Sequence, residues 1–173
     1  MRDVRRDYVA YLRVVSSLPS DPQLVTQVSD ELYQHAVLVS ASYVHHTTND
    51  AFSTQQYLNA YSQVGGWVLR PKASDAESVV AVNARLKQVV VAFRGSSRTA
   101  EDWACVKSIA DGSYVRNVQF RNAYTKVRAQ QYSLPEGYSL RLLGYSMGGA
   151  KATVFGEVLN VPSTAFNPFL PLV

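Results

Sequence analysis

The spacing of apolar and polar positions changes character along the chain. Val4, Tyr8, Leu12 and Val15 recur at helical steps, which predicts a short amphipathic helix over 4–15. Leu18-Pro19-Ser20 ends it. From Pro22 the three- and four-residue steps resume through Val25, Val28, Leu32, Ala36, Val39 and Tyr43, an apolar stripe about five turns long that has to be buried, with a sheet as the expected surface. Ser20 is placed to cap this second helix, and Pro22 falls in a first turn where its missing N–H costs nothing. A polar break follows at His45-His46-Thr47-Thr48-Asn49-Asp50, then a short helix around Thr54 to Tyr61.

Beyond Gly65-Gly66 the pattern turns β-like. Residues 67–69, 78–84 and 88–93 read as strands, the first two flanking a polar turn that contains Pro71, Ser74 and Asp75. Val89-Val90-Val91-Ala92-Phe93 is apolar throughout, as expected of a central strand covered on both faces. Val118, Phe120, Ala123, Tyr124 and Val127 suggest a helix beginning near Arg121, and Pro135-Glu136-Gly137 a turn. A strand over 139–143, a helix over 149–159 and a last strand over 163–166 complete an α/β alternation.

Candidate chemistry is concentrated where the strand beginning at Ser139 meets the helix beginning at Gly149. Gly144-Tyr145-Ser146-Met147-Gly148 places a serine between two glycines, as required where a backbone reverses so sharply that side chains at the flanking positions would collide. Such a turn lifts the Ser146 hydroxyl above a sheet. It also puts the Met147 N–H at a helix N-terminus, where unpaired amides and the helix dipole favour an oxyanion. The bland alternative is a glycine-rich turn whose serine only caps the helix.

At 47% hydrophobic and 17% charged, the 173 residues suit one globular domain and argue against disorder or a coiled coil. The net charge of +4 owes much to Arg2, Arg5, Arg6 and Arg13. No aromatic and basic interleaving accompanies them, so they read as a solvated helix face and not a nucleic-acid surface. Cys105 is the only cysteine, and no apolar run near the N-terminus is long enough for a signal peptide or membrane span. The expectation is a soluble, intracellular chain, with signal-independent secretion left open. His45 and His46 have no third ligand at metal spacing, so no metal and no cofactor are expected.

Two separated motifs resemble the class 3 lipases of the α/β-hydrolase fold. Val89 to Ser96, with Asp102-Trp103 a few residues on, is similar to that family's strand ending in Phe-Arg-Gly-Ser or Phe-Arg-Gly-Thr and its Asp-Trp pair. Leu142 to Ala152 is similar to its Gly-His-Ser-Leu-Gly-Gly-Ala turn, with Tyr145 and Met147 replacing the usual His and Leu. Weaker similarity extends the likeness over roughly 25–168. It implies an α/β-hydrolase-like three-layer sandwich around a mixed, mostly parallel sheet, incomplete at its C-terminal end: one domain over 1–173, with 1–19 a helical extension.

The resemblance also implies a carboxylic ester hydrolase with Ser146 as nucleophile and Ser96 and the Met147 N–H around the oxyanion. Its substrate would be a lipid or small ester met in transient contact with a lipid surface. The segment from Ser97 to about Val106 would correspond to a lid carrying Trp103 as an apolar contact, and Arg94 would be an ion-pairing residue beneath the loop. One departure is large. In α/β-hydrolases the acid and then the histidine follow the serine, yet the 27 residues after Ser146 contain no Asp or His, their one acid is Glu157, and all three histidines precede residue 47. Using His45 or His46 as base would require a rearranged site. Two readings follow: a hydrolase whose acid and histidine lie beyond Val173, or a degenerate hydrolase kept for interaction.

Overall fold

The computed structural model describes residues 22–62 and 65–169. The helix expected over 4–15, the cap expected at Ser20 and the N-terminal arginines lie outside these residues. The chain divides into two compact units, Met1–Tyr33 with Val173, and Gln34–Leu172. Of the first, residues 22–33 are helical and belong to α1 (Pro22–Thr48).

The remaining elements, in order, are α2 (Ala51–Tyr61), β1 (Trp67–Leu69), β2 (Ser78–Asn83), β3 (Gln88–Phe93), α3 (Ala100–Ala110), α4 (Val118–Tyr132), β4 (Ser139–Tyr145), α5 (Met147–Leu159) and β5 (Ser163–Phe166). The five strands form one mixed sheet in chain order, with β1–β2 and β2–β3 antiparallel, β3–β4 and β4–β5 parallel. Alternation along the strands divides the core in two. Val80, Val89, Val91, Phe93, Leu140 and Leu142 face one layer of helices, α3, α4 and α5, whose Ile109, Val127 and Phe155 pack on them. Val79, Ala81, Val90, Ala92 and Leu143 face the other, α1 and α2, through Leu38, Ala41 and Leu58. The result is an α/β arrangement with helices on both faces, and β3 is apolar at every interior position because both of its faces are covered.

The polar break after Tyr43 begins later than its sequence suggests, since α1 runs on to Thr48. The row it buries is also offset. Gln34, Leu38, Ala41 and His45 are buried while Ala36 and Tyr43 are half-buried. Two polar residues hide this row from a hydropathy reading, and each has a partner: Ser62 Oγ donates to Gln34 Oε1 at 2.8 Å, and His45 Nδ1 lies 3.0 Å from Thr54 Oγ1. None of the described helices is long and apolar enough to cross a membrane.

Two features hold β3 and α5 in register. The first is backbone contact. A Cβ on Gly148 would lie 2.3 Å from the Arg94 carbonyl oxygen and 2.6 Å from that of Phe93, and one on Gly144 would lie 2.1 Å from the Gly148 carbonyl oxygen. The first turn of α5 therefore rests directly on the end of β3. The second is a buried ion pair beneath the loop that follows β3, in which Arg94 Nη1 meets Asp102 Oδ2 at 2.8 Å.

Arg94 also donates from Nε to the Ala76 carbonyl and from Nη1 to that of Gly95, each at 2.6 Å. Asp102 accepts as well from the Ser97 N–H (2.6 Å), the Ser97 hydroxyl (2.8 Å) and Gln119 Nε2 (2.8 Å). Asp102 lies in the first turn of α3, capped by Thr99, where the helix dipole also favours its charge. Burial opposes ionisation of this carboxyl, but the hydrogen bonds from Arg94, Ser97 and Gln119 outweigh burial and hold it well below the usual carboxylate range. A second buried cation, Lys151 of α5, donates to Glu77 Oε2 at 3.0 Å. The segment before β2 thus meets β3 through Ala76 and α5 through Glu77.

Two outcomes are expected. Gly148→Ala should cost about 1–3 kcal/mol or more, because backbone and not a flexible side chain occupies the space; a urea midpoint equal to wild type would show that helix and strand separate freely. Asp102 has a depressed folded-state pKa, so its contribution is complete well above its ordinary value of about 3.9 and drains away as pH falls below about 4. Asp102→Asn should lose about 3–5 kcal/mol at pH 7 by stranding the Arg94 charge, and should flatten the fall in stability as pH drops below about 4. An unchanged acid limb would assign that limb to other carboxylates.

Candidate functional site

Ser146 joins β4 to α5 with φ 50° and ψ −117°, a backbone state outside the regions that L-residues ordinarily occupy. Such a conformation costs on the order of 1–3 kcal/mol and persists only where the surroundings over-determine it. They do so here. The Ser146 N–H donates to the Phe166 carbonyl at 3.0 Å, and the Ser146 carbonyl accepts from Ala150 N (3.0 Å) and Phe169 N (3.1 Å). With both ends of the peptide unit tied to β5 and the loop after it, the side chain is left half-buried, and it makes no capping hydrogen bond to α5.

Met147 is the first residue of α5 and its side chain is buried. Its N–H belongs to the group of amides at a helix start that have no intrahelical acceptor. The segment that carries Ser96 reaches the same junction from β3. Phe93 pairs with Gly144 in the parallel ladder, and a Cβ on Gly95 would lie 3.2 Å from the Tyr145 carbonyl oxygen, so the Arg94–Ser97 turn runs alongside the β4–α5 junction. Ser96 is half-buried. The geometry thus brings the Ser96 turn and the Ser146–Met147 step together.

Tyr43 was legible in the sequence only as an apolar position at the end of a helix stripe, yet its hydroxyl accepts a 2.8 Å hydrogen bond from the Gly95 N–H. Burial pushes this phenol up, against the opposing pull of the Gly95 hydrogen bond, and it stays protonated at neutral pH. Tyr43 and Tyr145 meet edge to face at 6.5 Å between ring centroids. With Val39 and Phe166 they line a groove of about 410 Å³ beside Ser146. Ser97 and Gln119 carry no mark in the sequence as donors to Asp102: Ser97 reaches it from the loop before α3, and Gln119 only because the α3–α4 connection folds back.

No base approaches Ser146 among the described residues. His35 Nδ1 lies 3.1 Å from Thr164 Oγ1, and His45 is engaged with Thr54. His46 Nδ1 is buried without a partner. Glu157 is exposed eleven residues along α5 from Ser146, about 16 Å at 1.5 Å per residue. Arg94 is an ion-pairing residue, as expected. Trp103 lies on the regular helix α3 and is 58% exposed, because Asp102 beside it takes the buried side of that turn. Cys105 is fully buried, and burial pushes its thiol up. No group of three or more potential metal ligands forms among the described residues.

No protein-family model matches the chain, and no curated protein matches it. Among solved structures, the chain is similar to the crystal structure of a lipase from Rhizopus microsporus var. chinensis, with a TM-score of 0.44 and 17% identity over 85% of this chain and 57% of that one. It is also similar to lipase II from Rhizopus niveus, with a TM-score of 0.44 and 17% identity over 78% of this chain and 56% of that one. The chain spans less than two thirds of the length of either lipase.

Proposed function

We propose that this chain carries the nucleophile half of a serine hydrolase acting on carboxylic esters of lipids, with Ser146 as nucleophile and the Met147 N–H and Ser96 as donors to the oxyanion. The observation that carries the reading is the backbone of Ser146: a strained φ of 50° in a serine whose hydroxyl caps nothing. Strain held by two glycine contacts and three backbone hydrogen bonds is the kind found where a side chain must be presented in one orientation. The lipid ester class rests on the motif resemblance, supported by the apolar groove that Val39, Tyr43, Tyr145 and Phe166 form beside the serine.

The chemistry is addition of Ser146 Oγ to the ester carbonyl, transfer of the hydroxyl proton to a base, and expulsion of the alcohol to leave an acyl-enzyme that water then cleaves. The residues named here would supply the attacking oxygen and two donors for the developing negative charge. The base is the part that no described residue supplies, and this favours a second reading in which the serine fold serves interaction and not turnover.

The two readings separate on base rescue. Added imidazole should raise hydrolysis of p-nitrophenyl butyrate by the 173-residue chain above the rate of imidazole alone, with the increment absent in Ser146→Ala. Ser96→Ala should reduce that increment by about 10²–10³ if its donor is used in the transition state. Equal imidazole-dependent rates with wild type and Ser146→Ala would sink the hydrolase reading and leave the interaction reading standing.

A further inference from the structure

We propose a second binding site on this chain, for a single-chain amphiphile with a carboxylate head, in the cavity between α4 and α5. The site stands on its own observations and not on the hydrolase reading. It has a volume of about 350 Å³, within the range of small-molecule pockets. Phe120 and Phe155 are buried in its lining, with centroids 4.8 Å apart. Tyr114 stacks on Phe120 at 4.8 Å, and Tyr124 meets Phe155 at 5.6 Å. Val158, 65% exposed, and Arg121 stand at the opening.

Three residues with polar ends line this otherwise apolar cavity, and one of them is cationic. The hydroxyls of Tyr114 and Tyr124 have no hydrogen-bond partner among the described residues, and the Arg121 guanidinium has no ion pair there. Arg121, exposed at the surface, is the one cationic residue in the lining of this hollow among the described residues. No Asp or Glu lines the cavity among the described residues. An apolar hollow with one cationic residue in its lining matches an alkyl chain ending in a carboxylate: the chain occupies the aromatic hollow, and the head accepts from a guanidinium suited to carboxylate geometry. Val154, on the cavity wall, is eight residues beyond Ser146, about 12 Å along the helix axis.

Calorimetric titration of the whole 173-residue chain at pH 7.5 with sodium decanoate, below its micelle concentration, tests the proposal. Decanoate should bind saturably at a site that Val158→Asp removes and Tyr145→Asp leaves intact. Decyltrimethylammonium should bind at least tenfold more weakly, and hexanoate weaker still, because each buried methylene contributes about fourfold in affinity. Arg121→Glu and Val158→Asp, both at exposed positions, should each lower decanoate affinity at least tenfold with unchanged urea midpoints.

Absence of saturable binding would overturn the proposal. So would equal affinity for the anionic and cationic heads, or an Arg121→Glu variant that binds as wild type. Affinity lost in Tyr145→Asp but kept in Val158→Asp would place the chain in the groove beside Ser146 and also overturn it. None of these outcomes depends on ester hydrolysis, so failure here leaves the reading of Ser146 untouched, and the converse holds.

Discussion

The close approach of α5 to the end of β3 is the constraint on which the candidate site depends. Gly148 lies against the Phe93 and Arg94 carbonyls with no room for a methyl group, and Gly144 lies under the Gly148 carbonyl with still less. Backbone-to-backbone contact of this kind fixes separation more tightly than side-chain packing, because neither partner has a rotamer to yield with. Ser146, caught between the two glycines, inherits the precision as strain. Ser96, two residues past the carbonyls that Gly148 touches, inherits it as position. Displacements of about 1 Å matter to reacting groups, and this is where the chain limits them.

The buried charges serve the same end by other means. A buried ion pair is a poor source of net stability, because desolvation offsets most of the attraction. What it supplies is a set of directions. The Asp102 carboxylate is filled by Arg94, Gln119 and two donors of Ser97, while Arg94 reaches the Ala76 and Gly95 carbonyls. Four separate segments are therefore oriented by one pair, and the loop bearing Ser96 lies between two of its contacts. From the other face of the sheet, the Tyr43 hydroxyl takes the Gly95 N–H. The loop after β3 is irregular in backbone but is tied on both sides.

The sequence shows the strands and the Ser146 turn clearly because their causes are local. A continuous apolar run at Val89–Phe93 has few explanations other than a strand covered twice, and glycines two positions either side of a serine signal a sharp reversal. What the sequence conceals is set by partners distant in the chain. The buried row of α1 includes Gln34 and His45, which Ser62 meets at Gln34 Oε1 and Thr54 at His45 Nδ1. Lys151 occupies a helix position that hydropathy would place in water, and it is buried because Glu77 is there. The Tyr43–Gly95 contact joins residues 52 apart. Paired polar groups leave no trace in an apolar pattern, so these parts of the site had to be seen in space.

The same chain shows how it makes an ordinary helix cap, and that bears on Ser146. Asp50, Thr99 and Asn117 precede α2, α3 and α4 with negative φ and extended ψ, and each accepts from an amide of the first turn. Ser146 precedes α5 with positive φ and accepts nothing through its side chain. A serine needed only to start a helix would take the relaxed conformation and gain the cap, typically worth about 1 kcal/mol. Here the chain forgoes the cap and carries the strain as well. Two independent costs at one residue, at the point where the glycine contacts are tightest, argue that the orientation of the Ser146 hydroxyl is what this junction is built to hold.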